Sequence, residues 1–567
     1  MRFLLSTLAI ILFSTAFSQK VEKENQTRRQ YNYWDFAKTK IESEGSYYKD
    51  ALGETTKKHG SWTFYSKNGH KEEVRNYYMG KLHGPVLLYF TNGKLKQEGY
   101  FKLDIQDSVF REWNETSKIS QEGFYKAGKP IGVWKDYYIT GKQKSEQEII
   151  DTTTYIRSFW MPDSLHTQTI KNGTGKYNTF YTTGHKKEVY TYVNGLPNGA
   201  FEEFSIYGYL FLRGEFLNNV KTGEWTYFYY TGPVEKISNY KAGKLDGKYV
   251  YYYDNEQINV EGYYAEGEKT GIWTWYTNKG TRDMQGEFKD GKQDGNWTFW
   301  FPTGELSYTA QFKADKKHGN WAYQYQNGKP FKKGAFVDDE KDGLWETWYE
   351  DGQLLMSGVY KLSREEGKWV NYWQNGEIKN EANFKNGFLD GPWLSFFESG
   401  KPHLTGEYER NFKSGTWTDY FDNGKPKDVV SYKVITVKSK IDYGIMKDRT
   451  HEESVKDGIS ISYSSKDFKK TEEGTFKNGK KHGGWIDYYP GGRYPAVTSH
   501  YKEGELDGWL RQYTRKGDLT SESEYKNGLK HGKFIVYGNK GKIIKEINFK
   551  DGQQVQENSK VPGIGKN

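Results

Sequence analysis

Polar and apolar residues alternate along most of this chain in short runs, and the runs return on a fixed beat. Gly175 is repeated every 24 residues, at Gly199, Gly223, Gly247 and so on to Gly415. Two positions after each stands an aromatic residue: Tyr177, Phe201, Trp225, Tyr249, Trp273, Trp297, Trp321, Trp345, Trp369, Trp393 and Trp417. A period this strict describes one small unit stacked many times, not an enzyme-like globule. Within the unit, a run rich in aromatic residues and threonine, such as 225–228, has the composition of a half-buried strand. A turn such as Asn327-Gly328 or Asn375-Gly376 follows, and a second alternating run leads back to the next glycine. Asn-Gly tolerates positive φ at both central positions, so a tight two-residue hairpin turn is expected there. Each repeat reads as a β-hairpin. The chain reads as an all-β, elongated array of about nineteen such hairpins in one continuous antiparallel, single-layer sheet.

That turn sets a register. It places Trp62 opposite Arg75, and it places Trp273, Trp345 and Trp393 opposite Gly286, Gly358 and Gly406, as aromatic rescue of a cross-strand glycine requires. A further aromatic (Phe288, Phe312, Phe336, Tyr360) lies two residues beyond the small position, so one face carries an aromatic ladder. The other face is mainly charged, with Glu98, Glu122, Glu261, Glu381, Glu522 and Glu546 on it. The aromatic five residues after the glycine (Tyr276, Trp300, Trp348, Tyr372, Phe396) falls on this polar face by parity. Either a bulge shifts it or the polar face is itself partly aromatic.

The beat breaks twice. Gly132 to Gly175 and Gly415 to Gly458 each span 43 residues, which is 43 − 24 = 19 more than the period. Both additions fall in the turn between repeats, are β-prone, and read as extended hairpins leaving one edge of the sheet. Long insertions in a regular scaffold are more often functional than short turns. The resulting organisation is a signal peptide at 1–18, an irregular or disordered segment at 19–40, repeats at 41–141, an inserted hairpin at 142–174, the strict array at 175–424, a second inserted hairpin at 425–457, repeats at 458–552 and a disordered tail at 553–567. The signal peptide is read from Arg2, the apolar stretch 3–17 and Ala16-Phe17-Ser18, a stretch too short to span a bilayer.

Composition narrows the function classes. Aromatics make up 17% of the residues and all apolar residues 35%, enough for a ladder and too little aliphatic matter for a thick core. The formal charge of +9 is small for 567 residues, and its basic residues are interleaved with acidic ones, unlike the stripe of a nucleic-acid binder. No cysteine occurs, so neither a disulfide nor a lipid-modified thiol is available. His59, His83, His318, His482 and His531 stand before the glycine where other copies have Asp246, Asp294, Asp342, Asp390 and Asp507. Successive copies lie about 9.6 Å apart, too far to share a metal, so these residues read as turn stabilisers. No nucleophile elbow or phosphate loop is present. No enzyme activity, cofactor or metal is expected.

The unit Asp290-Gly-Lys-Gln-Asp-Gly-Asn-Trp297 resembles the bacterial variant of the MORN repeat, and the resemblance runs from about residue 41 to 552. It implies hairpins joined in an elongated, gently curved sheet with a binding or scaffolding role. Many bacterial relatives are labelled the antitoxin component of a toxin–antitoxin system, and eukaryotic ones are associated with membrane and phospholipid contact. This chain departs from an antitoxin in its export signal and its length. The expected function is an exported scaffold for a protein or cell-envelope component, with glycan binding by exposed Trp and Tyr as the alternative and antitoxin-like action as a further one. Candidate binding residues are Trp225, Trp273, Trp297, Trp321, Trp345, Trp369, Trp393 and Trp417 on the ladder, and Tyr155, Phe159, Trp160 and Tyr432 in the insertions.

Overall fold

The computed structural model describes residues 26–439 and 449–555. The expected signal peptide, the tip of the second insertion and most of the tail lie outside the described residues. Within them the chain is all-β, with forty-five strands and one short 3-10 turn, Asn539–Gly541. It divides into two compact units, residues 1–269 and 270–567. In each, a strand pairs antiparallel with its neighbours in sequence, and no crossover interrupts the meander. Segment 19–40, expected to be irregular, contains the strand Gln30–Tyr33, which pairs with Ile41–Gly45 of the strand Ile41–Asp50.

A repeat in the second unit shows how the sequence builds the hairpin. The strand Lys292–Trp300 carries the anchor Gly295 and runs into a loop; Leu306–Lys313 returns, and Ala314-Asp315 turns the chain into the next repeat. The two turns are of different kinds, and the Asn-Gly dipeptide is not where the two-residue turn lies. At Asn327-Gly328 only the glycine has positive φ (80°), Gly328 N–H donates to Tyr325 O, and Tyr325 N–H donates to Lys329 O. This is a three-residue loop closed by a left-handed glycine. The two-residue turns with both residues left-handed lie at the opposite edge: Asp290-Gly291 (50°, 75°), Ala314-Asp315 (50°, 71°) and Asp338-Asp339 (49°, 74°).

The expected pairing nevertheless holds, because a register shift follows the three-residue loop. Trp62 faces Arg75, Trp273 faces Gly286, Trp345 faces Gly358 and Trp393 faces Gly406. The shift falls four to five residues after the anchor in each repeat, as between Phe299 and Trp300. A second shift separates the return strand from the next repeat: Gly286 pairs with Trp297 but Glu287 with Asp294, leaving Gly295 and Asn296 bulged. Apart from Gly175, which pairs directly with Ile170, the anchor glycines sit in these bulges with φ between +62° and +115°. Their recurrence follows from that conformation, which side chains adopt at a cost. Where Ser108 replaces the glycine, it takes the same φ of 69°.

The two insertions differ. The second is an extended hairpin, Pro426–Ser439 against Arg449–Tyr463, whose outer part (Val434 to Lys438 opposite Ser454 to Thr450) continues past the tight-turn edge. The first does not project. Thr153–Trp160 and the short strand Gln168–Lys171 join the ladder in line, between Gln143–Ile150 and Thr174–Phe180. The reason is a local core: Phe159, Ile170 and Tyr192 are buried together, with Ile156, Met161, Tyr177 and Tyr190 against them. An apolar contact set of that size holds the added strands in the sheet.

Candidate binding surfaces

The indole ladder is built by the bulge. Trp345 lies over Gly334 on the return strand before it, so closely that a Cβ on that glycine would meet Cδ2 at 2.1 Å. Its Nε1 donates to Ala335 O at 3.2 Å, beside the bulge. Trp369 over Gly358 with Val359 O, and Trp417 over Gly406 with Glu407 O, repeat the arrangement. The glycine rescued is therefore the one preceding the Trp, not the one across the following loop, because the bulge turns the indole back toward its predecessor. Between successive indoles stands the second aromatic, edge-on: Phe336 to Trp345 at 5.2 Å and 89°, Tyr360 to Trp369 at 4.9 Å and 87°. Lysines close the rings from above, with Lys341 Nζ 5.0 Å from the Trp345 centroid and Lys413 Nζ 4.2 Å from that of Trp417.

This packing buries Trp225, Trp273, Trp297, Trp321, Trp345, Trp369 and Trp417, none more than 5% exposed. Among the eight ladder candidates only Trp393 is half-open. It pairs with Ala382; Ala310 stands in the same place before Trp321, which is nevertheless buried. The ladder thus offers no open row of ring faces. Of the insertion candidates, Phe159 is buried; Tyr155, Trp160 and Tyr432 are half-buried. Trp160 stacks on His166 at 5.9 Å and 14°.

The polar face is partly aromatic as well. The aromatic five residues after the anchor stays on that face and meets the preceding repeat's carboxylate. Tyr65 Oη donates to Glu44 and Tyr137 Oη to Glu122, both at 2.7 Å, and Tyr537 Oη to Glu522 at 2.5 Å; Tyr488 donates to Glu473. Burial, then the neighbouring carboxylate, pushes the Tyr137 and Tyr488 phenols up to about 12. Hydrogen bonds from Lys470 and Tyr488 hold the Glu473 carboxyl below its usual range. Glu346 pairs with Lys333 at 2.7 Å and Glu381 with Lys368 at 2.8 Å, rim pairs of small energetic weight.

Both edges are stitched from repeat to repeat. At the loop edge, Tyr325 Oη donates to Trp348 O and Tyr349 Oη to Tyr372 O, while Asn327 Nδ2 reaches Glu350 O. At the tight-turn edge, Asp246 and Asp294 accept from the N–H of Glu266 and Ala314 in the next turn, and His59 Nδ1 from that of Met79. Asp246, Asp294, Asp507 and His59 of the row before the anchor glycine thus serve the following repeat's turn, whereas Nδ1 of His83, His318 and His482 is buried without a hydrogen-bond partner. Among the described residues no cluster of three or more His, Cys, Asp or Glu could hold a metal ion, and no helix is long and apolar enough to cross a membrane.

Other surfaces stand outside this bonding pattern. Beside the long hairpin, Ile459, Ile461, Trp485 and Ile486 line an open groove of about 500 Å³. At the loop edge of the first unit, Tyr207 and Tyr230 are 76% exposed and Tyr209 58%. Sequence reading passed over these tyrosines because they occupy the loop edge instead of the ladder; their signal is an aromatic where another repeat has Asn327, Lys329 or Gln326. At the tight-turn edge, lysines flank some of the turns on both sides, as Lys289 and Lys292 do, and Lys313 and Lys316.

Six segments, residues 82–103, 293–314, 341–362, 365–386, 413–433 and 530–551, match the family described as MORN repeat variant. No curated protein matches the chain in sequence. Among solved structures, a chain in the crystal structure of TcdB2-TccC3-Cdc42 is 10% identical over 88% of this chain and 30% of its own, with a TM-score of 0.12. A chain in the crystal structure of TcdB2-TccC3 is 11% identical over 82% and 28%, with a TM-score of 0.13. This chain spans about 30% of the length of the first. At such TM-scores the likeness carries no argument. The six matched segments do, since each is one hairpin of anchor strand, three-residue loop and return strand: at these places the chain is built of MORN repeat variants.

Proposed function

We infer that the protein is a non-catalytic, exported scaffold that binds a protein or a component of the cell envelope. Its specificity lies in the long hairpin of the second unit and the groove beside it. The observation that carries this reading is the contrast between that hairpin and the repeats. In most repeats, indoles, lysines, carboxylates and turn amides bond to one another. The outer part of the hairpin has no equivalent in the other described repeats, and the groove beside it is lined by Ile459, Ile461 and Ile486; single apolar residues at the place of Ile459 are open in ordinary repeats too, as at Ile272 and Leu344. Export rests on the amino-terminal apolar stretch.

The test is to remove residues 434–454 and join Lys433 to Val455, which already face each other, through Asn-Gly. Far-ultraviolet circular dichroism and thermal midpoint should stay as in the parent, and co-sedimentation with a purified envelope fraction should be lost. Undiminished co-sedimentation would remove the hairpin from the reading. A glycan reading is favoured by a different observation, the exposure of Tyr207, Tyr209 and Tyr230 on one edge. Their joint change to Ser, with the hairpin intact, separates the two.

A further inference from the structure

At the tight-turn edge of the first unit, one turn is capped by a group that a proton can disable. The cap itself recurs along the chain: the residue before the anchor glycine accepts from the first N–H of the next repeat's turn. Asp107 accepts from Ala127 at 3.2 Å, Glu366 from Asn386 at 2.9 Å and Asp457 from Asn478 at 2.9 Å, as Asp246 and Asp294 do from their own turns. His59 fills this place with an imidazole, its Nδ1 accepting from Met79 N–H at 3.2 Å. An ionised carboxylate accepts throughout the neutral and mildly acidic range. An imidazole nitrogen accepts only while the ring is neutral.

The surroundings of His59 leave a second proton nowhere to go. The residue is 1% exposed, and its ring lies between those of Tyr48 at 5.2 Å and Tyr78 at 5.5 Å. These two phenols are the titratable groups against it from the strands Ile41–Asp50 and Lys71–Tyr78; Ser46 stands opposite, and Lys57 and Lys58 precede it on its own strand. Because Nδ1 accepts, the neutral ring carries its proton on Nε2, which is buried without a partner. Burial alone pushes the imidazole below its ordinary value, and no ion-pair partner stands against it among the described residues. Two other histidines of the row differ. The Asp338 carboxylate lies 3.9 Å from Nδ1 of His318 and that of Asp551 3.1 Å from Nδ1 of His531, so a proton arriving there meets a countercharge.

We propose that His59 is an acid-sensitive latch, which holds the turn Met79-Gly80 closed while its ring is neutral and releases it on protonation, whereas the carboxylate-capped turns stay closed. Protonation sets Nδ1–H against Met79 N–H, two donors with no acceptor between them, and puts a charge in an enclosure of rings. One movement relieves both: the turn leaves the ring, and the imidazolium reaches water. Gly80 N–H to Lys58 O at 2.7 Å stitches the same turn to the strand of His59 and is carried away with it. Below about pH 6.5 the open turn binds more protons than the closed one, so closure is fully favoured above that pH and is lost progressively beneath it. The latch is separate from the long hairpin and the exposed tyrosines, and it stands whether or not either of those surfaces binds a partner.

The test is hydrogen–deuterium exchange of the full chain, followed by mass spectrometry at about pH 7.5 and about pH 5.0 and read as protection relative to the unstructured rate at each pH. In the parent, protection of residues 76–82 should fall about tenfold or more at the lower pH. Protection of residues 263–269, whose turn is capped by Asp246, should be the same at both. His59→Asp places the sister repeats' acceptor in the latch, and His59→Asn supplies an acceptor with no charge to bury. Each should keep residues 76–82 equally protected at both pH values. Protection at about pH 7.5 shows which variant has folded, and the pH comparison within the parent needs neither. Unchanged protection of residues 76–82 in the parent overturns the proposal. So does an equal loss at about pH 5.0 in a folded variant, which would put the acid-sensitive group elsewhere, or an equal loss at residues 263–269, which would make the opening global.

Discussion

At the scale of the residue, the indole of Trp345, two places after its anchor glycine, does three things at once. It covers the preceding glycine, caps the carbonyl beside the bulge through Nε1, and takes the edges of two flanking rings. Removing such a side chain forfeits buried area and leaves a void. Trp345→Ala should therefore cost about 3–5 kcal/mol, the range for large aromatic truncations. Trp393→Ala should cost less, since that ring is already half-open. Urea titration followed by circular dichroism measures both, and equal losses would show that exposure of the ring does not set its contribution. The aromatic alternation made these positions legible in the sequence. Which glycine each indole covers was not, because the answer depends on a bulge. A bulge formed by Gly295 and Asn296 leaves the spacing of side chains unchanged and shows only in the positive φ of the glycine.

The hairpin is the element, and its pairing register followed from counting residues even though the turn at Asn-Gly was of another kind. Loop length and bulge offset each other: one residue more in the loop is cancelled by one more in the return strand. Periodicity alone cannot separate these cases. The in-line placement of Thr153–Trp160 was hidden for a different reason, since Phe159 and Ile170 meet Tyr192 only in the folded sheet. Stability in such an array is a sum of nearest-neighbour terms. Deleting Gly295 to His318, one full unit, should leave a folded protein with a cooperative transition. Deleting 12 residues removes one strand, reverses the direction of those that follow and should abolish it. Circular dichroism and limited proteolysis distinguish the two, and equal tolerance would show that the single strand is the unit.

At the scale of the whole molecule, tyrosine is the most widely shared titratable constraint, with a strained phenol population in each unit. Tyr137 and Tyr190 in the first unit and Tyr488 in the second are pushed up to about 12, in each case first by burial and then by nearby acidic groups or phenols. A phenol whose folded pKa is raised stabilises the fold fully below its unfolded value of 10, and that contribution disappears as pH rises toward 12. Stability should be flat across neutral pH on this account and fall steadily from pH 10 to 12. A spectroscopic titration of phenolate absorbance should resolve a late class of tyrosines in the native protein that denaturant shifts back to about 10. A single early class in native protein would contradict the burial of these side chains.

The bonds that stitch the edges join each repeat to its immediate neighbours in the chain, some reaching forward and some back. Tyr325 finds its acceptor in the repeat that follows, as do Tyr349, Asp246 and Asp294 their partners 20 to 23 residues on. A chain that emerges amino-terminus first thus carries, at every moment, one incomplete repeat at its growing front and finished ones behind it. Each newcomer completes its elder and waits for its own successor. Assembly of each unit can proceed as a zipper advancing at the pace of the emerging chain, with no need to hold distant segments in readiness.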